Sequence, residues 1–465
     1  MAHVMFTFLG GGSRRSDIVD PHNDPRGGYQ KATYVFPDGD RQTTSLFGLA
    51  LLAHLRDVND APGRVVIFGT SGSFWENLAS LLLPTDGYAT ERDALYRRQS
   101  TNEVGFDDLQ PLVGPISKAI LDRFGVAEAL IRLIPYCGEA GEQLDFLKNI
   151  ADSAGKGDHV TFDVTHGFRH FPLLGVFAAM AVRKLKRVSI DGIWYGAYEH
   201  PANSRDAADG AAPALRLDGL LAIVDWLEAL TAFDADGDYS RFAELVKRDG
   251  MMTAGAARLS HAAFRERISD LASAARYLRE FRKDLLASRV LGASALFAPE
   301  LDKRVMWSET GDAYSHYRSL AIEALARNDF VKAAMFGFEA AVTRIAEHFG
   351  DGDPLNRFVR EDSKDSFFDA RENRRRKRRR GSKEAFAHLA ALRNRLIHGA
   401  YTVETPEDSR TELNNALQSE EALRRFMDEL FRQLLPEDDT QPFPDIVGED
   451  FGFGAAWPRG RGHDQ

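Results

Sequence analysis

Three short apolar runs in the first half of the chain each end in a turn rich in glycine, serine or threonine, and this feature constrains the fold most. The runs cover residues 4–9, 64–68 and 159–164, and segments with helical periodicity separate them. Such alternation predicts βαβ units and a mostly parallel sheet, whose ligands bind at the carboxyl ends of the strands. The predicted elements of this half are strands 4–9, 32–36, 64–68, 130–135, 159–164 and 188–198 and helices 45–56, 74–83, 143–154 and 173–185.

Long amphipathic periods replace this pattern in the second half, and no convincing strand follows residue 215. These periods predict an all-helical region with helices at 217–233, 261–287, 314–326, 330–349, 383–398 and 413–434. A polar stretch of small residues at 203–213 marks a domain boundary. We therefore expect an α/β domain at 1–205, a helical linker region at 206–300, a second helical domain at 301–440 and a tail at 441–465.

The composition excludes several classes of protein. Of the 465 residues, 44% are hydrophobic and 28% are charged, which is typical of neither a membrane protein nor a disordered one. Cys137 is the single cysteine, so an intrachain disulfide and a cysteine-based zinc site are excluded, and a reducing cytoplasm is expected. The longest apolar run, 171–182, is shorter than a membrane span, and the apolar stretch within 1–12 is too short for a signal peptide. The net charge of −10 argues against a general nucleic-acid binder.

The turns after the first two runs offer candidate contacts for a phosphate ligand. The first turn lacks the G-x-G-x-x-G spacing of a dinucleotide site, so a tight strand exit is an equal alternative. In the second turn, hydroxyl groups precede a predicted helix whose free N–H groups favour anions, although Ser73 as a simple helix cap is the alternative. The candidate ligand-binding residues of these turns are Gly10, Gly11, Gly12, Thr70, Ser71 and Gly72.

The segment 163–169 is the most distinctive part of the first half. It places an acid, a hydroxyl, an imidazole, a glycine and a guanidinium at the exit of one strand, and packing alone rarely requires such a combination. Arg169 can clamp a phosphate through two parallel hydrogen bonds. The alternative for His166 is a structural histidine with satisfied hydrogen bonds. The candidate ligand-binding residues here are Asp163, Thr165, His166, Gly167 and Arg169.

One predicted helix of the second half, 383–398, carries an R-x4-H motif formed by Arg393 and His398, with Asn394 between them. Leucines at helical spacing mark its core face, so the motif points elsewhere, and Gly399 suits a helix C-terminus. Five residues correspond to an offset of ~140° around a helix. Arg393 and His398 therefore cannot form one compact pair on one face, but two copies of the helix facing each other across a dimer axis could surround a phosphodiester. The alternative is a surface helix with a charged rim.

This motif suits RNA cleavage without a metal ion. The ribose 2′-hydroxyl attacks the neighbouring phosphorus, His398 assists proton transfer and Arg393 stabilises the developing charge, while Asn394 orients either group. A basic island precedes the helix, with eight basic residues among the ten from 371 to 380. We expect this island to be extended or mobile through self-repulsion and to gather RNA phosphates. The candidate RNA-binding residues are Arg374, Arg375, Arg376, Lys377, Arg378, Arg379 and Arg380.

Taken together, these motifs resemble a known family. The glycine turns and the D-V-T-H-G-F-R segment at 163–169 resemble the CARF domain of CRISPR-associated proteins, and the helical half with R-x4-H resembles a HEPN ribonuclease domain. The chain is thus similar to the CARF–HEPN ribonucleases of type III CRISPR systems, in particular the Csx branch. The resemblance implies a Rossmann-like α/β CARF domain followed by an all-α HEPN domain.

The same resemblance implies an activity and its partners. The sensor domain would bind a cyclic oligoadenylate, cyclic tetra-adenylate in the Csx branch, across the axis of a homodimer or higher homo-oligomer. The helical domain would then cleave single-stranded RNA without a metal or other cofactor and without a membrane partner. Two alternatives remain open, namely a ring nuclease that degrades the cyclic oligoadenylate and a nucleotide-responsive regulator that binds nucleic acid without cutting it.

Overall fold

A computed structural model describes residues 1–11, 31–84, 87–167, 170–198, 211–288, 290–369, 376–399 and 407–437. The chain divides into two compact units, Met1–Leu220 and Leu221–Gln465. The first unit contains the described strands and the second is helical. The predicted succession of a mostly parallel α/β sheet and a helical region is therefore confirmed.

Eight strands form the sheet of the first unit in the order β3-β2-β8-β7-β6-β1-β4-β5. Five neighbouring pairs are parallel, and only β2–β3 and β7–β8 are antiparallel. The strands are β1 His3–Leu9, β2 Ala32–Val35, β3 Arg41–Thr44, β4 Arg64–Gly69, β5 Glu128–Leu133, β6 His159–Asp163, β7 Ser189–Gly196 and β8 Ala211–Arg216.

The central strand β1 is buried on both faces, as its nearly continuous apolar sequence requires. Met5 and Leu9 pack into the core on one face, whereas Phe6 and Phe8 join an aromatic cluster on the other. Because β4 and β6 flank β1 in parallel, the carboxyl ends of all three strands lie side by side. The helices of this unit are α1 Phe47–Asp57, α2 Trp75–Leu82, α3 Ala89–Ser100, α4 Phe106–Phe124, α5 Ala140–Ser153 and α6 Phe171–Lys186.

The second unit builds one core from amphipathic helices. The second unit begins within helix α7, whose first residues are counted with the first unit. The largest fully buried side chains of the second unit include Trp226, Arg344, Tyr239 and Tyr314. Its helices are α7 Asp218–Asp236, α8 Phe242–Arg248, α9 Thr253–Arg267, α10 Leu271–Ala287, α11 Gly292–Val305, α12 Ala313–Ala326, α13 Phe330–Phe349, α14 Arg357–Asp369, α15 Arg376–His398, α16 Glu407–Ala416 and α17 Glu420–Leu434. Within the described ranges, every helix is too short or too polar to span a bilayer.

The structure corrects the expected end of the sheet. Residues 188–198 were expected to form the last strand, but β8 at Ala211–Arg216 pairs with β7 and β2. Its sequence AAPALR is weak in β-branched residues and contains Pro213, so propensity does not reveal it, whereas pairing on both sides holds it in place. The compact unit thus continues to Leu220, beyond the boundary expected at 205. The further division of the helical half at residue 300 stays a prediction.

Three helix predictions also need correction. The predicted helix 261–287 is two helices, because Ser269 adopts a positive φ of 61° and Asp270 accepts a hydrogen bond from Ser273 N at 3.2 Å to begin α10. The predicted helix 413–434 is likewise divided, and Ser419 caps α17 through Ala422 N at 3.1 Å. The backbone of Arg376–Arg380 is helical rather than extended, because arginine and lysine are good helix formers at the start of α15.

Candidate functional site

Three turns meet at the carboxyl ends of β1, β4 and β6, as the sequence predicted, and glycine allows them to meet. A Cβ atom at Gly10 would lie 2.7 Å from the Cα of Gly167, and one at Gly11 would lie 2.7 Å from the carbonyl oxygen of Gly72. Gly167 also has a φ of +121°, which L side chains rarely adopt. The turns therefore pack backbone against backbone and form one glycine-packed edge, in which Gly10 and Gly72 are buried and Gly11 and Gly167 are half-buried.

The turn after β4 is fastened by its own hydroxyl groups. Ser73 Oγ accepts a hydrogen bond from Thr70 N and donates one to the carbonyl of Leu9, both at 2.8 Å. The indole of Trp75 donates to the carbonyl of Thr70 at 2.8 Å. Thr70 is buried, whereas Ser71 is half-buried and donates to the hydroxyl of Tyr136 at 3.3 Å. Of the two hydroxyl residues proposed here as ligand contacts, Ser71 is thus the accessible one.

Asp163 is fully buried beneath the third turn and organises it. Its carboxylate accepts hydrogen bonds from Thr7 Oγ1 at 2.6 Å and from Thr165 N at 2.9 Å. A Cβ atom at Gly48 in the first turn of α1 would lie 3.0 Å from the same carboxylate. Burial raises the pKa of Asp163 to about 6, against the effect of its hydrogen bonds. Asp163 therefore holds β1, the third turn and α1 together below the surface.

His166 links the third turn to the start of α1. Its Nε2 accepts a hydrogen bond from Phe47 N at 3.0 Å, so the ring is held as a neutral imidazole with this nitrogen unprotonated. Burial lowers the pKa of His166 to about 4. Thr165 reaches the other neighbouring strand, since its Oγ1 accepts from Gly196 N at 2.8 Å. Both residues are half-buried at the edge.

Sequence reasoning missed three side chains at this edge. Tyr136 follows β5, and its carbonyl accepts a hydrogen bond from the exposed His170 at 2.8 Å. A Cβ atom at Gly72 would meet the hydroxyl of Tyr136 at 2.5 Å and the side-chain oxygen of Asn102 even closer. Tyr136 was recognisable as the first polar side chain after a predicted strand, whereas Asn102 belongs to a turn between helices with no sequence signal. Gly12 and Arg169 lie outside the described residues.

The R-x4-H motif lies at the C-terminal end of α15. Arg393 and Asn394 are half-buried, and His398 is exposed. The core-facing leucines of the helix include Leu389 and Leu392, both with no exposed surface, as expected. Arg393 does not point away from the core as expected, because it is half-buried against Phe338, whereas His398 does. Gly399 ends the helix with a φ of +70° and donates from its N–H to the carbonyl of Arg395 at 3.0 Å.

The guanidinium of Arg393 lies over the aromatic ring of Phe338. Its central carbon lies 4.6 Å from the ring centroid of Phe338 on α13. Among the residues that the structure describes, no ion pair or side-chain hydrogen bond involves Arg393, Asn394 or His398. These groups are therefore available to a ligand. In the basic island, Arg374 and Arg375 lie outside the described residues, and for Arg376–Arg380 the structure describes only the helical backbone.

Residues 18–199 match the family model described as "CRISPR system endoribonuclease Csx1, CARF domain". The α/β unit is a CARF domain of the Csx1 type. A CRISPR-associated protein of Methanocaldococcus jannaschii is 24% identical over 264 residues, which are 54% of this chain and 39% of that relative. The match thus spans well under half of the relative's length. A CARF domain implies a nucleotide-binding role. The turns after β4 and β6 lie within the matched residues, whereas the turn with Gly10 and Gly11 precedes them.

The close packing at the edge of the CARF unit predicts the effect of adding one methyl group. Gly10→Ala should lower the free energy of unfolding by about 1–3 kcal/mol, because the new Cβ overlaps the backbone of Gly167. Gly114→Ala is the matched control, since a Cβ there meets nothing within 4 Å and the residue is exposed on α4. Urea denaturation of both variants measures the difference. A Gly10→Ala protein as stable as Gly114→Ala would contradict the account.

The opposite pKa shifts of Asp163 and His166 predict how pH affects the CARF unit. Between about pH 4 and 6, the folded unit keeps a proton on Asp163 that the unfolded chain has released, so this group lowers stability as pH rises. His166 acts in the opposite sense, because the unfolded chain holds an imidazole proton that the folded unit excludes. The two contributions therefore nearly cancel in the wild type.

Asp163→Asn should remove this cancellation. Relative to the wild type, the free energy of unfolding of the variant should rise with pH by about 1.4 kcal/mol per unit over the interval of about pH 4–6. The measurement is urea-dependent hydrogen exchange of peptides from β1, taken at several pH values. Parallel pH profiles for the wild type and the variant would contradict the raised pKa of Asp163.

Proposed function

We propose that this protein is a metal-independent endoribonuclease of type III CRISPR antiviral defence, which cleaves single-stranded RNA when a cyclic oligoadenylate binds its CARF unit. The CARF domain, and the CRISPR-associated relative, support the setting in CRISPR defence. The proposed catalytic activity rests on the end of helix α15. There, among the described residues, the side chains of Arg393 and His398 form no ion pair and no hydrogen bond.

The motif supplies the chemistry that RNA cleavage needs. Attack of a ribose 2′-hydroxyl on the adjacent phosphorus requires removal of one proton, delivery of another to the leaving 5′-oxygen, and stabilisation of the negative charge that develops on the phosphoryl oxygens. His398 moves the protons, Arg393 binds the charged oxygens and Asn394 orients either of these two side chains. Since Arg393 and His398 differ by ~140° around the helix, two copies of α15 in a homodimer would complete the site.

The activator would bind at the glycine-packed edge. There the half-buried residues Gly11, Ser71, Thr165 and Gly167 offer polar groups to a phosphate–ribose ring. A ring with twofold symmetry, such as cyclic tetra-adenylate, can present identical halves to the two subunits of a dimer. Residues 374–380 would collect the RNA through its phosphates.

Replacement of the catalytic pair tests the nuclease proposal. Arg393→Ala and His398→Ala should each lower the rate of RNA cleavage in EDTA by about 10²–10⁴-fold, because each removes a group that acts on the transition state. Melting temperature and activator affinity should stay as in the wild type, since neither residue is buried. The matched controls are Arg425→Ala on α17 and His261→Ala on α9, both exposed. Undiminished cleavage by either catalytic variant would refute the assignment.

Substitution of Arg169, the residue expected to bind a phosphate of the activator, tests the proposed activator site. Arg169→Ala should weaken binding of cyclic tetra-adenylate by about 10-fold or more, because a charge-assisted, two-pronged hydrogen bond is lost. The activator concentration for half-maximal RNA cleavage should rise equally, while cleavage at saturation recovers. Calorimetric titration and activator dose–response curves measure the two effects. Unchanged affinity would remove the 163–169 segment from the ligand site.

A further inference from the structure

The contact between Arg393 and Phe338 carries an inference about how the nuclease site is arranged. An arginine side chain has several rotatable bonds, and an unpaired one at a surface loses its position readily. Here the central guanidinium carbon lies 4.6 Å from the ring centroid of Phe338, within the range of a cation–π interaction. This contact restrains the guanidinium without a hydrogen bond from its N–H donors.

The ring of Phe338 is itself held in place. It packs against Phe386 of α15, with ring centroids 5.4 Å apart and an interplanar angle of 34°. Phe386 is 4% exposed and contacts Phe367 in turn, at 6.2 Å. Phe386 and Arg393 are seven residues apart, which is close to two helical turns, so both lie on the same face of α15. Phe338 therefore lies against Phe386 and Arg393 on one side of the helix.

Glu339, the residue after Phe338, is paired with an arginine other than Arg393. Glu339 follows Phe338 on α13, and its Oε2 lies 2.8 Å from a guanidinium nitrogen of Arg360. Arg360 also donates to Thr343 Oγ1 at 3.1 Å. A carboxylate paired with Arg393 would occupy the donors that a phosphate needs, whereas an aromatic face leaves them unused.

We propose that Phe338 is a positioning residue of the nuclease site, which holds the guanidinium of Arg393 through its ring face and leaves the N–H donors for an RNA phosphate. This inference rests on the proposed ribonuclease function. It requires an aromatic ring at 338 rather than any apolar side chain. Phe338 is half-buried and packs against the edge of the core, so its role for Arg393 adds to its packing.

Two substitutions of Phe338 distinguish the effect of its aromatic face from the effect of its apolar volume. Phe338→Leu keeps an apolar side chain without a π face and should lower kcat for RNA cleavage by about 2- to 30-fold, with a smaller change in KM. Phe338→Tyr keeps the face and should retain the wild-type kcat within about 2-fold. Phe358→Leu is the control, an exposed phenylalanine on α14, and should leave kcat unchanged. Thermal melting of each variant measures the effect on folding separately.

The results distinguish a failure of the positioning role of Phe338 from a failure of the proposed ribonuclease function. A wild type that cleaves RNA and an inactive Arg393→Ala, together with an unimpaired Phe338→Leu, would overturn the positioning role alone. Equal loss in Phe338→Leu and Phe338→Tyr would also overturn it, because the ring face would then not matter. An inactive wild type, or an Arg393→Ala protein as active as wild type, would overturn the ribonuclease proposal and this inference with it.

Discussion

Direct packing of backbone on backbone at the end of β1 is the interaction on which the CARF unit depends. Gly10 and Gly11 let the first turn contact the turns after β6 and β4, and no side chain fits between them. Three consequences follow from this contact. The three turns form one edge, Ser73 can reach the carbonyl of Leu9, and the carboxylate of Asp163 is sealed beneath the surface. Backbone packing and buried polar groups therefore hold this edge together.

The helical unit uses a different arrangement, in which side chains at the end of a helix form the candidate site, with Arg393 half-buried and His398 exposed. Helix α15 presents Arg393 and His398 beyond its buried leucines, and Gly399 ends the helix just after them. Aromatic contact restrains the arginine, and no acidic partner among the described residues neutralises it. A site that binds an anionic substrate gains from such an arrangement, because the substrate does not have to displace a carboxylate that is already paired with the arginine.

Sequence predicted the elements whose periodicity is strong and missed those that depend on tertiary contacts. Strands β1, β4 and β6 have apolar runs and clear turns, whereas β8 has neither and exists through its pairing with β7 and β2. The meeting of the glycine turns follows from parallel topology, so it was predictable. The burial of Thr70 and Asp163 was not, since the types of residue that bind a ligand also satisfy buried backbone groups. Tyr136 directly follows a predicted strand and was recognisable, whereas the contact of His170 with its carbonyl is tertiary and was not.

Coupling between a nucleotide sensor and an RNA-cleaving helix is the central claim of this account, and the activator dependence of wild-type cleavage tests it most directly. The measurement is the single-turnover rate of cleavage of a labelled single-stranded RNA in EDTA, with and without saturating cyclic tetra-adenylate. An activator that binds the active state more tightly shifts the equilibrium, so the rate should rise by about 5- to 150-fold. Equal rates in the two conditions, or no cleavage in either, would contradict the account.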